Sequence, residues 1–568
     1  MASLLGGTPI SRAEQEANDQ HNPLMVLAVL AFLGLFIYLF TYAPKALGLP
    51  MPSSVGQTLG LSYQFDDDGN IDTSLYIPFT FRFNNDDERF ALFTGVGLAF
   101  LLAYFLPLKY KQGSLVFSSL VIIAVLYGLA GVAGLLCAHT LVYLVLHPVA
   151  RYRQWIAGLP GFFGVWAFFP YETLSLSVFG LSFIAASLSI LVYRYGILKL
   201  FQNSIAAKWL RILLIQSALI TILIGAVLEG IYGQTWELVL GVLLFFWHWE
   251  RLFMYHIDFQ DGKIPSTISL MTYLSVFLTP GQIANWSWGV TIGQGYSYTV
   301  NNFLVEDKNK LVRSGLQLWA VALVYFLLGA WAHGHLLDFL NGQGVSVYSR
   351  IEPMSADFIS GEKISTVTVL LTTLIALMKW TLSWGGVMHF KVGLWRVCGY
   401  KIDPYFNYPW LSTNLVTLWA RFTFHYREFL VRAFYYPIFF KYFKRHTHLR
   451  IFTATMAAAC FGNLVWGHMT EATFYYGLEF NTIYESLQQW PYFVLLGLGI
   501  TLCEFWLLHK KKSARKVWTF DKDIGWDFLS AYATLQYYAL IHIFVYTTPE
   551  ATLADNFSLF LLGLGFHF

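Results

Sequence analysis

Apolar runs long enough to cross a lipid bilayer recur along the whole chain. An α-helix needs about 20 mostly apolar residues to span the hydrocarbon layer. About eleven segments meet this requirement: 24–43, 91–108, 114–146, 173–193, 210–232, 236–255, 315–340, 366–392, 449–468, 490–508 and 527–547. Shorter or interrupted apolar stretches lie at 160–169, 267–300, 408–440 and 555–566. The pattern predicts an all-α, polytopic integral membrane protein with about eleven transmembrane helices, plus re-entrant or half-membrane helices around an internal tunnel.

The charge content agrees with this prediction and excludes other classes of protein. Only 12% of the 568 residues are charged and the mean hydropathy is +0.53, whereas soluble domains carry roughly 25% charged residues. The net charge of +3 is too small to indicate binding to nucleic acid. The low charge content and the high hydropathy indicate membrane lipids as the surroundings of the chain. No internal repeat is visible, which gives no support to a transporter built from inverted repeats.

Lysine and arginine in short loops predict the orientation of the chain. Three basic loops without acidic residues lie at 194–211, 441–450 and 510–516, and all three should face the cytoplasm. The acidic loop 47–89 should be extracytoplasmic, which makes residues 1–23 a cytoplasmic N-terminal tail. Residues 24–568 then form a single transmembrane domain.

Two patterns that resemble metal sites are incomplete. In the acidic loop, Asp66, Asp68, Asn70 and Asp72 alternate as in a calcium loop, but Gly69 is at the fourth position and no glutamate is at the twelfth. A solvated turn is the better interpretation. The 15 histidines include no HxxxH or HxxHH spacing. We therefore expect no bound metal.

The stretch "LVWGHMTEATFYYGLEF" places ionisable groups at the end of an apolar segment. His468 is followed by Glu471 three residues later, on the same face of a helix. A neutral imidazole in such a site can act as a general base, and the carboxylate could orient it. On this stretch alone, a structural hydrogen bond to a backbone carbonyl is as well supported as catalysis.

A second stretch favours catalysis. Residues 383–440 are too polar to form a plain transmembrane helix and too aromatic to form a free loop. Irregular polar backbone at membrane depth occurs where it is buried in protein or lines a cavity. This pattern predicts an internal tunnel that His425 and His468 are available to line.

Several motifs between residues 240 and 480 resemble one enzyme superfamily. Gly393 and Gly399 precede "YFNYPW" (405–410), "LWARFTFHYREFLVRAFYYPIFF" follows at 418–440, and "VWGHMTEATFYYGL" contains His468. Upstream lie "HWERLFMYHIDFQDGKIP" and "YLSVFLTPGQIANW". These motifs resemble the membrane-bound O-acyltransferases, in particular the bacterial branch for alginate O-acetylation and D-alanyl-lipoteichoic acid transfer.

The chain departs from the family motifs at several positions. The histidine of the family's "RRWH" motif aligns with Thr423, and His425 lies two residues later. Residues two apart on a helix differ in direction by about 200°, so His425 reaches the same place only if the helix shifts or kinks. The acid of the family's "SDMA" stretch aligns with His389, and the glycine after the key histidine is Met469. These differences predict a divergent member.

The resemblance implies transfer of an acyl group from a cytoplasmic thioester, acyl-CoA or an acyl carrier protein, to a hydroxyl group. It implies catalytic roles for His468 and His425, with no cofactor or metal bound by the chain. His468 would act as the base, and His425, Asn463 or a backbone amide would stabilise the oxyanion. We expect the substrates to contact four further side chains, those of Asn463, Glu471, Asn407 and Arg421.

The resemblance favours an extracytoplasmic polysaccharide or wall polymer as the acceptor, with polysaccharide O-acetylation as the model. A lipid alcohol or a secreted protein is the alternative acceptor. Members of the branch often work with separate partner proteins, and the resemblance places the chain in a bacterial inner membrane. Two other classes stay open: a membrane transporter that uses intramembrane His, Glu and Arg as a relay, and a non-catalytic scaffold.

Overall fold

The computed structural model describes residues 10–37, 86–147, 153–168, 176–197, 248–265, 268–278, 293–333, 335–468, 484, 486–511 and 524–566. This part of the chain is mainly helical. It contains no β-strand, and its β-structure is limited to an isolated bridge between Phe303 and Tyr400. The prediction of an all-α protein is confirmed for these residues.

The first half of the chain contributes helices of very different lengths. They are α1 Arg12–Asn18, α2 Pro23–Ile37, α3 Asp86–Phe105, α4 Leu108–Leu146, α5 Arg153–Ile156, α6 Leu159–Phe168, α7 Leu176–Val192, α8 His248–Gln260, α9 Leu270–Phe277 and α10 Tyr296–Asn301. A π-helical turn, Tyr193–Ile197, follows α7.

The second half contains several long helices and several broken segments. Its helices are α11 Lys308–His333, α12 His335–Gly342, α13 Ile351–Ile359, α14 Thr366–Val397, α15 Leu415–Phe422, α16 Phe424–Leu430, α17 Tyr436–Lys441, α18 Thr447–Thr455, α19 Trp490–His509, α20 Ile524–Ile541, α21 Ile543–Tyr546 and α22 Leu553–Gly563. Between them lie a 3₁₀ turn, Pro409–Leu411, and two π-helices, Val431–Tyr435 and Met456–His468.

Five helical stretches in the described residues are long and apolar enough to cross a membrane. They are Phe179–Gly196, Lys308–Gly329, Thr366–Val397, Ser486–His509 and Ile524–Tyr546. A sixth results if α1 and α2, which are bent by 74° at the break between them, form one span. The described residues therefore do not confirm eleven spans. The predicted span 210–232 and most of 236–255 lie outside them, and the predicted span 449–468 forms α18 followed by a π-helix.

The helices α11 and α14 form the centre of the bundle because two glycines let them approach closely. A Cβ atom at Gly315 would lie 2.7 Å from the carbonyl oxygen of Gly393, and one at Gly393 would lie 2.5 Å from Cδ1 of Trp319. Trp319 is fully buried, stacks on Phe390 with 5.3 Å between ring centroids, and donates its Nε1–H to the Phe390 carbonyl. Small residues at a membrane helix interface allow this backbone contact.

Substituting alanine for Gly393 should therefore destabilise the bundle. The added methyl group would overlap the Trp319 ring, and overpacking of this kind costs about 1–3 kcal/mol. Gly180→Ala is the matched control, because α7 has nothing within 4 Å of that position, and we expect a change within about 0.5 kcal/mol. The measurement is the apparent Tm of each purified variant in detergent. Equal Tm values for the two variants would contradict the packing account.

The chain reverses direction after α14 at a glycine that the backbone requires. Gly399 has φ of +97°, a conformation that side chains with a Cβ rarely adopt. Its carbonyl accepts a hydrogen bond from the Leu304 amide at 2.8 Å, and the Lys401 amide donates to the Asn302 carbonyl at 2.9 Å. These bonds join the turn after α14 to the loop before α11.

Candidate functional site

The candidate site lies where the chain folds back after α14. Residues 400–414 run alongside the junction of α15 and α16, held by two backbone hydrogen bonds. The Phe424 amide donates to the Tyr405 carbonyl and the Asn407 amide donates to the Arg421 carbonyl, both at 2.9 Å. The interrupted apolar stretch 408–440 forms several short helices, among them α15, α16 and α17.

The helix break places His425 in the interior. The α15 helix ends at Phe422 and α16 begins at Phe424, with Thr423 between them at φ −141° and ψ 64°. The sequence analysis predicted a direction for His425 that differs by about 200° from that of residue 423 on a continuous helix. The break removes that constraint. His425 is 0% exposed, and its ring packs near the Tyr405 and Phe424 rings.

A hydrogen bond fixes the tautomer of neutral His425. Nε2 lies 2.8 Å from the backbone carbonyl oxygen of Asp403. A carbonyl oxygen can only accept, so Nε2 carries the proton and the lone pair is on Nδ1. Nδ1 is buried and has no hydrogen-bond partner among the described residues. The ring is thus held in one orientation with an unused basic nitrogen.

The surroundings of His425 keep this nitrogen unprotonated at neutral pH. The residue lies outside the five candidate spans, and burial lowers the pKa of its imidazole to about 4, with the positive charge of Arg396 acting in the same direction. The opposing contribution comes from Asp403, whose carbonyl and charge favour the protonated ring. Burial prevails, and the imidazole is neutral at pH 7.

A side-chain contact joins α16 to the π-helix Met456–His468. The Tyr426 hydroxyl donates to Oδ1 of Asn463 at 3.0 Å. The π-helix Val431–Tyr435, which follows α16, also packs on this segment, because a Cβ atom at Gly462 would lie 2.7 Å from the Phe434 ring. The structure therefore brings together the segments that carry His425 and Asn463. The backbone of His468 ends this π-helix, whereas its side chain and all of Glu471 lie outside the described residues.

Two other predicted site residues, Asn407 and Arg421, contact each other. Nη2 of Arg421 lies 3.4 Å from Oδ1 of Asn407, and its Nε lies 3.4 Å from the Tyr408 carbonyl oxygen. Asn407 is exposed and Arg421 is half-buried. Tyr408 adopts φ of +48°, which is strained for a residue with a side chain. This pair lies at the surface of the fold-back segment, and no described hydrogen bond joins it to His425.

His389 occupies a different position, within α14. It is 5% exposed, its ring lies 5.1 Å from that of Tyr325, and neither ring nitrogen has a hydrogen-bond partner among the described residues. The structure therefore places this histidine in the packing between α11 and α14.

The sequence analysis missed a buried ion pair beside the site. Nη2 of Arg432 lies 2.6 Å from Oδ1 of Asp258, whose Oδ2 accepts from the amide and hydroxyl of Ser297 at 2.9 and 3.0 Å. Nη1 of Arg432 donates to the Gln294 carbonyl at 2.9 Å. Asp258 is 0% exposed and Arg432 6%. The sequence did show two opposite charges in or beside apolar segments, where ionisable side chains usually form pairs. It did not show that these two charges pair with each other.

The ion pair supports the backbone next to His425. Gly295, between Gln294 and Ser297, has φ of +108°, and a Cβ atom there would lie 2.5 Å from both Arg432 and Asp258. A Cβ atom at Gly293 would overlap the His425 carbonyl at 1.7 Å. The loop 293–297 is therefore clamped between the ion pair and α16.

No protein-family model matches this chain, and a search of curated proteins finds no significant match. Within the described ranges, no three His, Cys, Asp or Glu side chains lie close enough together to hold a metal ion.

Proposed function

We propose that the chain is a membrane-bound O-acyltransferase. It moves an acyl group from a cytoplasmic thioester, acyl-CoA or an acyl carrier protein, to a hydroxyl of an extracytoplasmic polysaccharide or wall polymer. The proposal includes about eleven spans around an internal tunnel in a bacterial inner membrane, an arrangement taken from the apolar runs and the resemblance. The long apolar helices described above are compatible with insertion in a membrane.

The observation that carries this proposal is the state of His425. A neutral imidazole is held by the Asp403 carbonyl, is shielded from water, and keeps a lone pair on Nδ1. A hydroxyl group is a poor nucleophile at pH 7, and a positioned imidazole overcomes this by removing its proton during attack. Exclusion of water protects the thioester from hydrolysis.

The reaction balances without a metal or a covalent acyl-enzyme. The base takes the acceptor's proton as its oxygen attacks the thioester carbonyl and forms the new C–O bond. The tetrahedral intermediate then collapses, the C–S bond breaks, and the thiolate leaves with the proton from the imidazolium. A hydrogen-bond donor near the carbonyl stabilises the oxyanion between these steps.

We assign the catalytic roles differently from the sequence analysis. With Nε2–H committed to Asp403, neutral His425 has no second N–H and fits the role of a base better than that of an oxyanion donor. Oδ1 of Asn463 accepts from Tyr426, so its Nδ2 group is the end that can donate to an oxyanion. In this proposal His468 remains a catalytic histidine with Glu471 as its partner, and Asn407 and Arg421 contact a substrate at the surface.

The test is transfer of a radiolabelled acyl group from acyl-CoA in purified membranes. Wild type should label one of the glycan, lipid or protein fractions, and His468→Ala should reduce the label by at least about 10²-fold, as expected for loss of a catalytic histidine. Gly180→Ala, with no neighbour within 4 Å, controls for membrane insertion and expression. The labelled fraction identifies the acceptor class.

Two results would contradict the proposal. If wild type transfers no label from any thioester, a transporter or a non-catalytic scaffold becomes the better account. If His468→Ala transfers label at the wild-type rate, His468 has no catalytic role. Label on lipid or protein alone would support acyl transfer but would show that the acceptor is a lipid or a protein and not a polysaccharide.

A further inference from the structure

The part of the N-terminal tail that the structure describes is docked onto the bundle. Residues 10–22, called here the N-terminal strap, contain α1 and the bend before α2. Nε2 of Gln15 donates to the Phe303 carbonyl at 3.0 Å, and Nδ2 of Asn18 donates to the Leu304 carbonyl at 2.9 Å. The strap therefore covers the loop that is bonded to the turn at Gly399.

Two buried lysines hold the end of the strap through one carboxylate. Oδ1 of Asp19 lies 2.5 Å from Nζ of Lys308 and 3.3 Å from Nζ of Lys111. The lysines are 2% and 1% exposed, and both also donate to the Tyr104 carbonyl at 3.0 Å. Burial lowers the pKa of Lys111 to about 8, which leaves it mainly charged at neutral pH. Asp19 is thus the one carboxylate in direct contact with both lysines, and Asp307 adds a weaker negative contribution at Lys308.

Tyr104 adds hydrogen bonds between uncharged groups to the same contact between strap and bundle. Its hydroxyl accepts from the Asn22 amide at 2.7 Å and donates to Oδ1 of Asn309 at 2.8 Å. Nδ2 of Asn309 in turn donates to the Gln20 carbonyl at 3.2 Å. The strap thus joins the corner between α3 and α4 to the corner between α10 and α11.

His21 is a titratable side chain in this contact between strap and bundle. The positions of its neighbours disfavour its protonation. Its Nδ1 lies 2.7 Å from Nζ of Lys308. A lysine ammonium has only donors, so Nδ1 must accept and must be unprotonated. A proton on Nδ1 would remove the hydrogen bond and set an imidazolium against Lys308, with Lys111 close by. His21 is exposed to solvent, so protons reach it freely.

We propose that protonation of His21 releases the N-terminal strap from the bundle. The groups that face His21 are Lys308 from α11, Lys111 from α4, Tyr104 from α3 and Asp19 from the strap itself. Asp19 attracts an imidazolium, but it is already shared between two lysines. Release would free the loop 302–304 from its cover and loosen its bonds to residues 399–401, the turn that leads to Asp403 and His425.

The direction of the pH dependence follows from linkage. Partial desolvation against the bundle lowers the pKa of His21 from its ordinary value, and the charge of Lys308 lowers it further. The docked strap then binds fewer protons than the released strap in the range below the ordinary histidine pKa of about 6.5. Docking should be full above about pH 6.5 and weaken as the pH falls below it.

Hydrogen exchange of the purified full-length chain tests this proposal. Corrected for intrinsic rates, the peptide covering 10–22 should exchange faster at about pH 5.5 than at about pH 7.5 in wild type, by up to about tenfold. In His21→Gln the amide oxygen can still accept from Lys308 but cannot titrate, so exchange should stay slow at both pH values. Exchange in α14 reports whether the bundle stays folded.

Two substitutions that each remove one negative charge test whether the buried lysines hold the strap through Asp19. Asp19→Asn should leave the strap exchanging rapidly at both pH values, because it removes the carboxylate that contacts both buried lysines directly. Glu16→Gln removes the same charge from α1, but Glu16 is exposed and pairs only with Arg12 among the described contacts, so it should behave as wild type. The proposal is overturned if His21→Gln retains the wild-type pH dependence, or if Asp19→Asn stays as protected as Glu16→Gln.

Discussion

Replacing Arg432 by methionine should lower the free energy of unfolding by about 3–5 kcal/mol, because it leaves the Asp258 carboxylate buried without its main counter-charge. Asp258 would keep the Ser297 hydrogen bonds and Lys263 at 3.8 Å, but Lys263 is 32% exposed and is the weaker partner. The Gln294 carbonyl would also lose its donor. The measurement is the apparent Tm in detergent, converted to free energy where unfolding is reversible.

The double variant Asp258→Asn/Arg432→Met separates two contributions to the free energy of unfolding: the penalty for an unpaired buried charge and the net stabilisation by the ion pair. Removing both charges should be less damaging than removing Arg432 alone. Glu352→Gln is the control, because the Arg350–Glu352 pair is about half-exposed on both sides and 3.9 Å apart, and such pairs contribute about 0–1 kcal/mol. If Arg432→Met and Glu352→Gln shift the Tm equally, the ion pair does not hold the loop 293–297 in place.

The apolar runs predicted the long helices well because one local property decides them. The run 366–392 becomes α14, Thr366–Val397, and the run 490–508 becomes α19, Trp490–His509. Even the start of α14 has a local cause, since Ser365 accepts from the Thr368 amide at 3.0 Å as an N-cap. Hydrophobicity and caps are readable from neighbouring residues, so these elements need no tertiary information.

The breaks and pairings depend on contacts between distant residues. The run 449–468 would fit a continuous span, yet it becomes α18 and a π-helix with Gly462 against Phe434. Asp258 and Arg432 are 174 positions apart, and the strap's Asp19 and Lys308 are 289 apart. A single sequence contains no signal for which distant charge a buried charge will meet.

The candidate site was predictable in its residues but not in its geometry. Sequence alone indicated His425, because it lies in a stretch too polar to form a plain transmembrane helix and too aromatic to form a free loop. It could not assign the tautomer, which depends on the carbonyl of Asp403 22 positions upstream. It also could not show that Thr423 interrupts the helix and so decides which way His425 faces.

Replacing His425 by glutamine should lower the rate of acyl transfer by about 10²–10⁴-fold, the usual contribution of a general base. The glutamine amide can still donate to the Asp403 carbonyl, so a merely structural role for His425 would survive this change. His542→Asn is the matched control. His542 is 6% exposed and its Nδ1 lies 2.6 Å from the Tyr538 carbonyl oxygen, a bond that asparagine can reproduce. It should transfer at nearly the wild-type rate.

The dependence of kcat/KM on pH tests independently whether His425 is the general base. A base must be unprotonated, and burial lowers the pKa of His425 to about 4. If His425 is the base, its contribution to kcat/KM should stay level as the pH falls from neutral and decline only near pH 4, well below the value of about 6.5 for an ordinary histidine. Measuring it in the His21→Gln background keeps release of the strap out of the profile. Full activity of His425→Gln would assign this imidazole a structural role and leave His468 as the base.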